Sequence, residues 1–367
     1  EQDNIDESNR LLKQLIAINI EYPYAYRLAI QNAIKQNKEK ELESSLQQLI
    51  DENKSAIWPR IILARRHIVQ NKFEHGILLL EEISDYERAP VAFYDSLHKA
   101  YEGLKAHTKI VALYMAWQKA QPNNAIAYLK LVEFLDKQKD YKGALEVVQA
   151  ALTQAQLRKH FQLNSLESYF LLATGNTEQA SPKIMTLAKS KPNHAFILRL
   201  QGQLALAKQE FPKAVEFLSK SLQGKNNTFT GLYLVTAYNN MGETQKSIDF
   251  LKQELSQFPN NKIYEKHLAE LYISESPESA VSAYKKIIKH NNKDIVALNN
   301  LAWVLLQTNQ LTEALNYSEK AKALAPKHPQ ILDTHGIILI KQNKLNDAIS
   351  SLSQASELSP NNSEIML

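Results

Sequence analysis

The apolar positions of this chain fall into short helical stretches that come in pairs. Ile295 to His328 reads IVALNNLAWVLLQTNQLTEALNYSEKAKALAPKH, and Pro329 to Asn362 reads PQILDTHGIILIKQNKLNDAISSLSQASELSPNN. The two stretches are equally long and align without a gap, so that Ala314 matches Ala348, Ala321 matches Ala355 and Pro326 matches Pro360. Toward the N-terminus a small residue recurs at the twentieth position of the unit, as Ala280, Ser247, Ala214, Ala180 and Ala144. The steps are nearly equal, the longest being that from Ala180 back to Ala144. Proline recurs at the thirty-second position as Pro259, Pro192 and Pro122. Residues 228–261 show the reason for each. Leu234 and Tyr238, four apart, share one face of a first helix. Gly242 opens the turn, where left-handed backbone is needed. Leu251 and Glu254 lie on a second helix, and Pro259 stops it. A small twentieth residue lets the second helix approach the first; a bulky one would hold the pair apart.

The period divides the chain into 23–56, 57–90, 91–124, 125–160, 161–194, 195–227, 228–261, 262–294, 295–328 and 329–362. Residues 1–22 read as the second helix of an earlier unit, with Leu11, Leu12, Leu15 and Ile18 on one face. Residues 363–367 read as the start of a further helix. Both ends therefore read as internal to a longer array, because solenoids close with polar caps. The first two units fit least well: Leu42 and Gly76 hold the twentieth position, and neither unit has the closing proline. Unit 262–294 is one residue short in its first turn, SESPESA, and 125–160 carries about two extra.

A helix–turn–helix period of about 34 residues with this punctuation resembles the tetratricopeptide repeat. The resemblance covers nearly the whole chain. It implies an all-α, right-handed superhelical solenoid of about ten repeats, in which stacked neighbours bury the apolar face that one repeat cannot bury alone. Composition agrees. Nine glycines is few against the roughly 25 that average usage would give, as expected of a chain that is helical nearly throughout. Apolar residues make up 44% and charged residues 22%, enough for a large core and too balanced for wholesale disorder. Cysteine is absent, which excludes disulfides, thiolate metal sites and a Cys nucleophile. The formal charge of +4 is spread among interleaved acidic residues, which argues against a nucleic-acid partner. No run of eighteen apolar residues exists, so a membrane would be reached only through an anchor upstream of Glu1.

Motifs that carry chemistry are missing. Neither G-x-x-x-x-G-K-[ST] nor G-x-G-x-x-G occurs, and neither does H-E-x-x-H or G-x-S-x-G. His98 and Glu102, four apart, read as an exposed polar pair on a helix. His335 stands where the repeat normally carries a buried Leu, and reads as a buried, hydrogen-bonded histidine or a packing fault. Glu81 and Glu82 read as a solvated face. The expectation is a protein that is not an enzyme and takes no cofactor or metal.

In this architecture the first helix of each repeat lines the concave side through positions 2, 5, 9 and 12. The earlier repeats place Trp58, Ile61, Arg65, Asp95, Lys99 and Glu102 there, followed by Ile126, Leu129, Glu133 and Tyr169. The later ones place Phe196, Arg199, Gln203, Phe229, Leu232 and Asn239 there, then Lys266, Glu270, Asn299, Trp303, Asp333 and Ile337. Aromatic anchors beside amides suit a groove for an extended or helical peptide. Chaperone-binding members of the superfamily hold a C-terminal carboxylate with Lys and Asn at positions 5 and 9; Asp95/Lys99, Ile61/Arg65 and Asn299/Trp303 do not match. The partner expected is a protein or peptide, with end-to-end self-association through the open ends as a further candidate.

Three segments carry a narrower likeness: RLQGQLALAKQEFPKAVEFLSKSL (199–222), ALNNLAWVLLQ (297–307) and residues 328–362. They resemble the long tetratricopeptide lipoprotein encoded with exosortase and PEP-CTERM exopolysaccharide systems of Gram-negative bacteria. That family usually reads LDTLGW where this chain has His335 and Ile337. The resemblance implies a scaffold in the bacterial cell envelope, facing the periplasm, for exopolysaccharide export or protein sorting. The alternatives are a cytoplasmic adaptor or regulator, the substrate-recruiting array of an enzyme such as a glycosyltransferase, and a polysaccharide-binding groove.

Overall fold

The computed structural model describes residues 2–223 and 227–359; Pro360 and the expected helix start at 363–367 lie outside them. Contacts divide the chain into two compact units, with the boundary after Leu187. The first unit opens with α1 (Gln2–Ile18), α2 (Pro23–Gln36), α3 (Glu39–Glu52), α4 (Trp58–Val69), α5 (Phe73–Glu81) and α6 (Val91–Gly103). It continues with α7 (His107–Ala120), α8 (Ala125–Lys137), α9 (Tyr141–Thr153), α10 (Phe161–Ala173) and the larger part of α11 (Thr177–Ser190). The second unit carries α12 (Ala195–Ala207), α13 (Phe211–Leu222), α14 (Thr228–Asn240), α15 (Thr244–Gln257) and α16 (Lys262–Glu275). Next come α17 (Pro277–His290), α18 (Ile295–Gln307), α19 (Leu311–Leu324), α20 (Pro329–Lys341) and α21 (Leu345–Leu358). No strand occurs among the described residues.

Within each unit the helices pair into hairpins that stack in chain order. Second helices pack on their own first helix and on the next one within the unit, as α13 does on α12 and α14, and successive first helices touch, as α4 does α6 and α18 does α20. The small residues at the twentieth position make the close approach: Ala144, Ala180, Ala214, Ser247, Ala280, Ala314 and Ala348 are 0–1% exposed. Helices α7, α11, α15 and α19 each end two residues before Pro122, Pro192, Pro259 or Pro326, because the residue before proline avoids the helical region. Four first helices, α8, α14, α16 and α18, begin on a side-chain cap, where Asn124, Asn227, Asn261 and Asp294 accept a backbone N–H.

The turn inside each hairpin is built the same way almost throughout. Asn37, Asn71, Lys105, Lys139, Gly175, Gln209, Gly242, Asn309 and Asn343 all take positive φ, near 55–79°. They follow one another at the repeat period, with one omission. The omission is the short hairpin α16–α17, where Ser276 alone joins the helices and lies at φ −159°. The extra residues of 125–160 fall in the loop between α9 and α10, which buries Leu157.

The apolar face expected on the first helix is split. Leu12 of α1 is 7% exposed, whereas Leu11, Leu15 and Ile18 point to solvent, Ile18 at 83%. Helix α2 covers one side of α1 and no described helix covers the other.

Candidate functional site

In the first unit polar and charged side chains link neighbouring first helices. The Arg65 guanidinium on α4 donates from Nε to Ser96 Oγ of α6 at 2.9 Å. Asp95 of α6 pairs with Lys130 of α8 at 2.8 Å. Lys99 is exposed, and Tyr169 is half-buried against the Phe170 ring at 4.9 Å. Two readings of the sequence need correction. Ile61 is 0% exposed, because α4 lies between α3 and the α5–α6 pair; it belongs to the core and lines no groove. His98 is half-buried rather than exposed: its Nδ1 lies 2.8 Å from Tyr114 Oη and its ring meets Phe134 edge-on, with Glu102 4.0 Å away. Burial lowers its pKa, so the neutral ring is favoured.

The second unit presents a different surface. On α12 the Arg199 guanidinium lies over the Phe196 ring at 4.5 Å, and Gln203 follows one turn after Arg199. On α14 Phe229 is 63% exposed. On α18 Asn299 and Trp303, one turn apart, are half-buried, and Asp333 of α20 is half-buried with its carboxyl pKa raised by burial. Gln203 Oε1 and Asn299 Oδ1 are closed to solvent and accept no hydrogen bond from the protein. Two other candidates serve the fold. Asn239 Oδ1 accepts from Ser247 Oγ at 2.6 Å inside its own hairpin. Lys266 pairs at 2.6 Å with Asp294, the cap of α18.

His335 is buried and hydrogen-bonded. Its Nδ1 is 3.0 Å from Ser318 Oγ, and burial, with Lys322 nearby, pushes its pKa down to about 4. Among the described residues no group of three or more His, Asp or Glu stands where it would hold a metal. None of the helices is long and apolar enough to cross a membrane.

Sequence reasoning overlooked Gln121 and Arg60. Gln121 accepts from Trp117 Nε1 at 3.0 Å and donates to the carbonyls of Tyr86 and Glu87, both at 3.0 Å, and of Ala89 at 3.3 Å. Nothing in its sequence context marks it. Arg60 does carry a signal, since it stands one period from Tyr26 and one from Tyr94, at a position that the fold buries.

A tetratricopeptide-repeat family profile matches residues 283–316. The structure of yeast Tom70 aligns with 100% of this chain and 91% of its own, at TM-score 0.52 and 13% identity. The fold is that of a tetratricopeptide-repeat array. The chain is also similar to MamA residues 41-end from Desulfovibrio magneticus RS-1, over 46% of this chain and 97% of that one, at TM-score 0.42 and 17% identity. Cut9 of the APC/C hetero-tetramer Cut9–Hcn1 covers 99% of this chain and 86% of its own, at TM-score 0.44 and 13% identity. No curated protein sequence matches.

Proposed function

We propose that this tetratricopeptide array is a non-catalytic scaffold that binds an extended peptide segment of a partner protein along the first-helix faces of its second unit. The observation that carries the reading is the run of aromatic and amide side chains at outward first-helix positions of this unit, Phe196, Gln203, Phe229, Asn299 and Trp303, none of them fully buried. Trp303, Phe196 and Phe229 supply the aromatic surface that peptide grooves use as anchors. The charged, internally paired faces of the first unit offer less of this, so Arg65 and Lys99 are secondary candidates.

The likeness of residues 199–222, 297–307 and 328–362 to the lipoprotein of exosortase and PEP-CTERM systems supports a place in the bacterial envelope, in exopolysaccharide export or protein sorting. A cytoplasmic adaptor is the alternative, and a signal peptide with a lipobox upstream of Glu1 would decide between them. The groove is tested by capture from an envelope extract, with wild type beside an Arg199→Ala, Asn299→Ala, Trp303→Ala triple variant and mass spectrometry of what binds. The expected result is a protein retained by wild type and depleted at least tenfold by the variant. Equal retention by both rejects the groove, and retention of glycan alone moves the assignment to polysaccharide.

A further inference from the structure

In the first unit four residues, each one period from the next, do one job. Tyr26 Oη donates to the carbonyl of Ile20 at 2.7 Å, Tyr94 Oη to that of Tyr86 at 2.8 Å and Tyr128 Oη to that of Pro122 at 3.1 Å. Arg60 holds the same place and donates from Nη1 to the Ala56 carbonyl at 2.7 Å. Each ties a first helix to the loop before it. A tyrosine is enough for that, so the guanidinium brings surplus donors and a charge into a position that is 2% exposed. Its Nε reaches Glu82 at 3.3 Å, and its Nη2 has no acceptor in the protein.

Arg60 lines a cavity of about 470 Å³ between the loop before α4 and the loop joining α5 to α6. Trp58 lines it too, and the cations Lys54 and Arg88 of the lining are ion-paired with Asp51 and Asp85. Three acids of the lining, Glu21, Glu82 and Asp85, balance its three cations, and Glu82 pairs with Arg60 itself. Both Glu21 oxygens take backbone N–H groups of α4, from Ile57 at 2.7 Å and Trp58 at 3.1 Å, and Asp85 takes the Arg88 N–H at 3.1 Å. The far wall is held in place, because the carbonyls of Tyr86, Glu87 and Ala89 are all fixed by Gln121. The size is that of a small-ligand site; Nε and Nη2 of a guanidinium are the pair of donors that matches a carboxylate, and here Glu82, its side chain 60% exposed, occupies the Nε end alone at 3.3 Å.

We propose that this cavity is a carboxylate-binding site, with Arg60 as the residue that holds the carboxylate and Trp58 as its apolar wall. The site lies where the helices join, away from the first-helix faces assigned to peptide, and stands or falls separately from that assignment. The carboxylate belongs either to a free small acid or to the C-terminus of a peptide.

Calorimetric titration of the full chain with sodium glutarate, with a hexapeptide bearing a free C-terminus and with the same peptide amidated separates these sources. Wild type is expected to bind at least one free carboxylate saturably and to bind the amidated peptide at least tenfold more weakly than the free one. Arg60→Met is expected to lose at least tenfold, with its melting profile reporting whether it folds. Ser84→Trp, at an exposed position of the cavity lining, leaves Arg60 in place and fills the space, and is expected to abolish binding. Glutarate binding as tight as the free peptide's identifies a small-acid site; binding of the free peptide alone identifies a protein terminus. No saturable binding of either probe by wild type overturns the proposal, as does unchanged affinity in a folded Arg60→Met or in Ser84→Trp.

Discussion

The two units solve one packing problem with different materials. Up to Leu187 the core is stapled by aromatics. Tyr94 and Trp117 stack at 3.9 Å with a 5° interplanar angle, Phe93 meets Tyr94 edge-on, and hydroxyls at the Tyr26, Tyr94 and Tyr128 positions tie helices to loops. Beyond Leu187 the core around α18 to α20 is mainly aliphatic and small, with Leu301, Val304, Leu305 and Ile338 buried against Ala302, Ala314 and Ala348, beside one buried tyrosine, Tyr284, and the buried polar residues Ser318, Thr334 and His335. The surfaces diverge as well: in the first unit Arg65–Ser96 and Asp95–Lys130 link neighbouring first helices, while the second leaves amide oxygens without donors. The period therefore sets where helices turn and touch. What fills the space between them, and what is left to bind, is set repeat by repeat.

If the aromatic staple holds the first unit, removing its centre is the largest single perturbation available. Trp117→Ala deletes a ring with 0% exposure along with its bond to Gln121, and is expected to cost about 3–5 kcal/mol. Hydrogen exchange is expected to accelerate in α6 and α7 while α18 to α20 keep their protection; equal loss in both would show that the units unfold as one.

The second unit is expected to be the more acid-sensitive at its core. Unfolded, His335 titrates near 6.5; folded, burial holds it at about 4. Between those values the unfolded chain binds the extra proton, so stability is fully present above pH 6.5 and falls as pH drops toward 4, by up to about 3 kcal/mol. His335→Leu, restoring the residue type usual at this position, is expected to flatten that slope. Denaturant unfolding followed by exchange in α19 and α20 between pH 7 and 4 checks it, and a slope unchanged in the variant would reject it.

A smaller effect is expected from Gln121→Ala. The loop before α6 loses three backbone tethers and Trp117 loses its acceptor, for about 1–3 kcal/mol. Exchange at Tyr86 to Ala89 should rise before that of α7. If α7 opens first, the glutamine supports the ring more than the loop.

How much of this was legible depended on whether a residue follows the period. Ala214, Ala280 and Ala314 announce close helix approach because a small side chain once in every repeat has one simple use, and the prolines announce helix ends for the same reason. Gly242 declared its left-handed turn. Ile61 was misjudged because position within a helix does not reveal which face a neighbouring hairpin covers. Among the site candidates, Asn239 and Lys266 looked like ligand-binding groups until their partners Ser247 and Asp294 were placed opposite them. Gln121 was invisible, since its bonds reach a whole repeat back along the chain. Arg60 was readable in principle, as a charge at a position that siblings fill with tyrosine.

The least costly difference between hairpins is the residue in the left-handed turn. Gly242 of the second unit meets that need without strain, and a Cβ built there finds no atom within 4 Å. Lys139 of the first unit takes φ 61° with a full side chain. The left-handed conformation costs a non-glycine residue about 1–2 kcal/mol, and glycine loses about 0.5–1 kcal/mol more chain entropy on folding. Lys139→Gly is therefore expected to stabilise the α8–α9 hairpin by about 0.5–1 kcal/mol, and Gly242→Lys to destabilise α14–α15 by a similar amount. Both sites are exposed, so side-chain packing contributes little to either change. Hydrogen exchange in the two hairpins, each variant against wild type, should give shifts of opposite sign. Two shifts of the same sign would mean that contacts of the lysine side chain, and not its backbone angle, govern the turn.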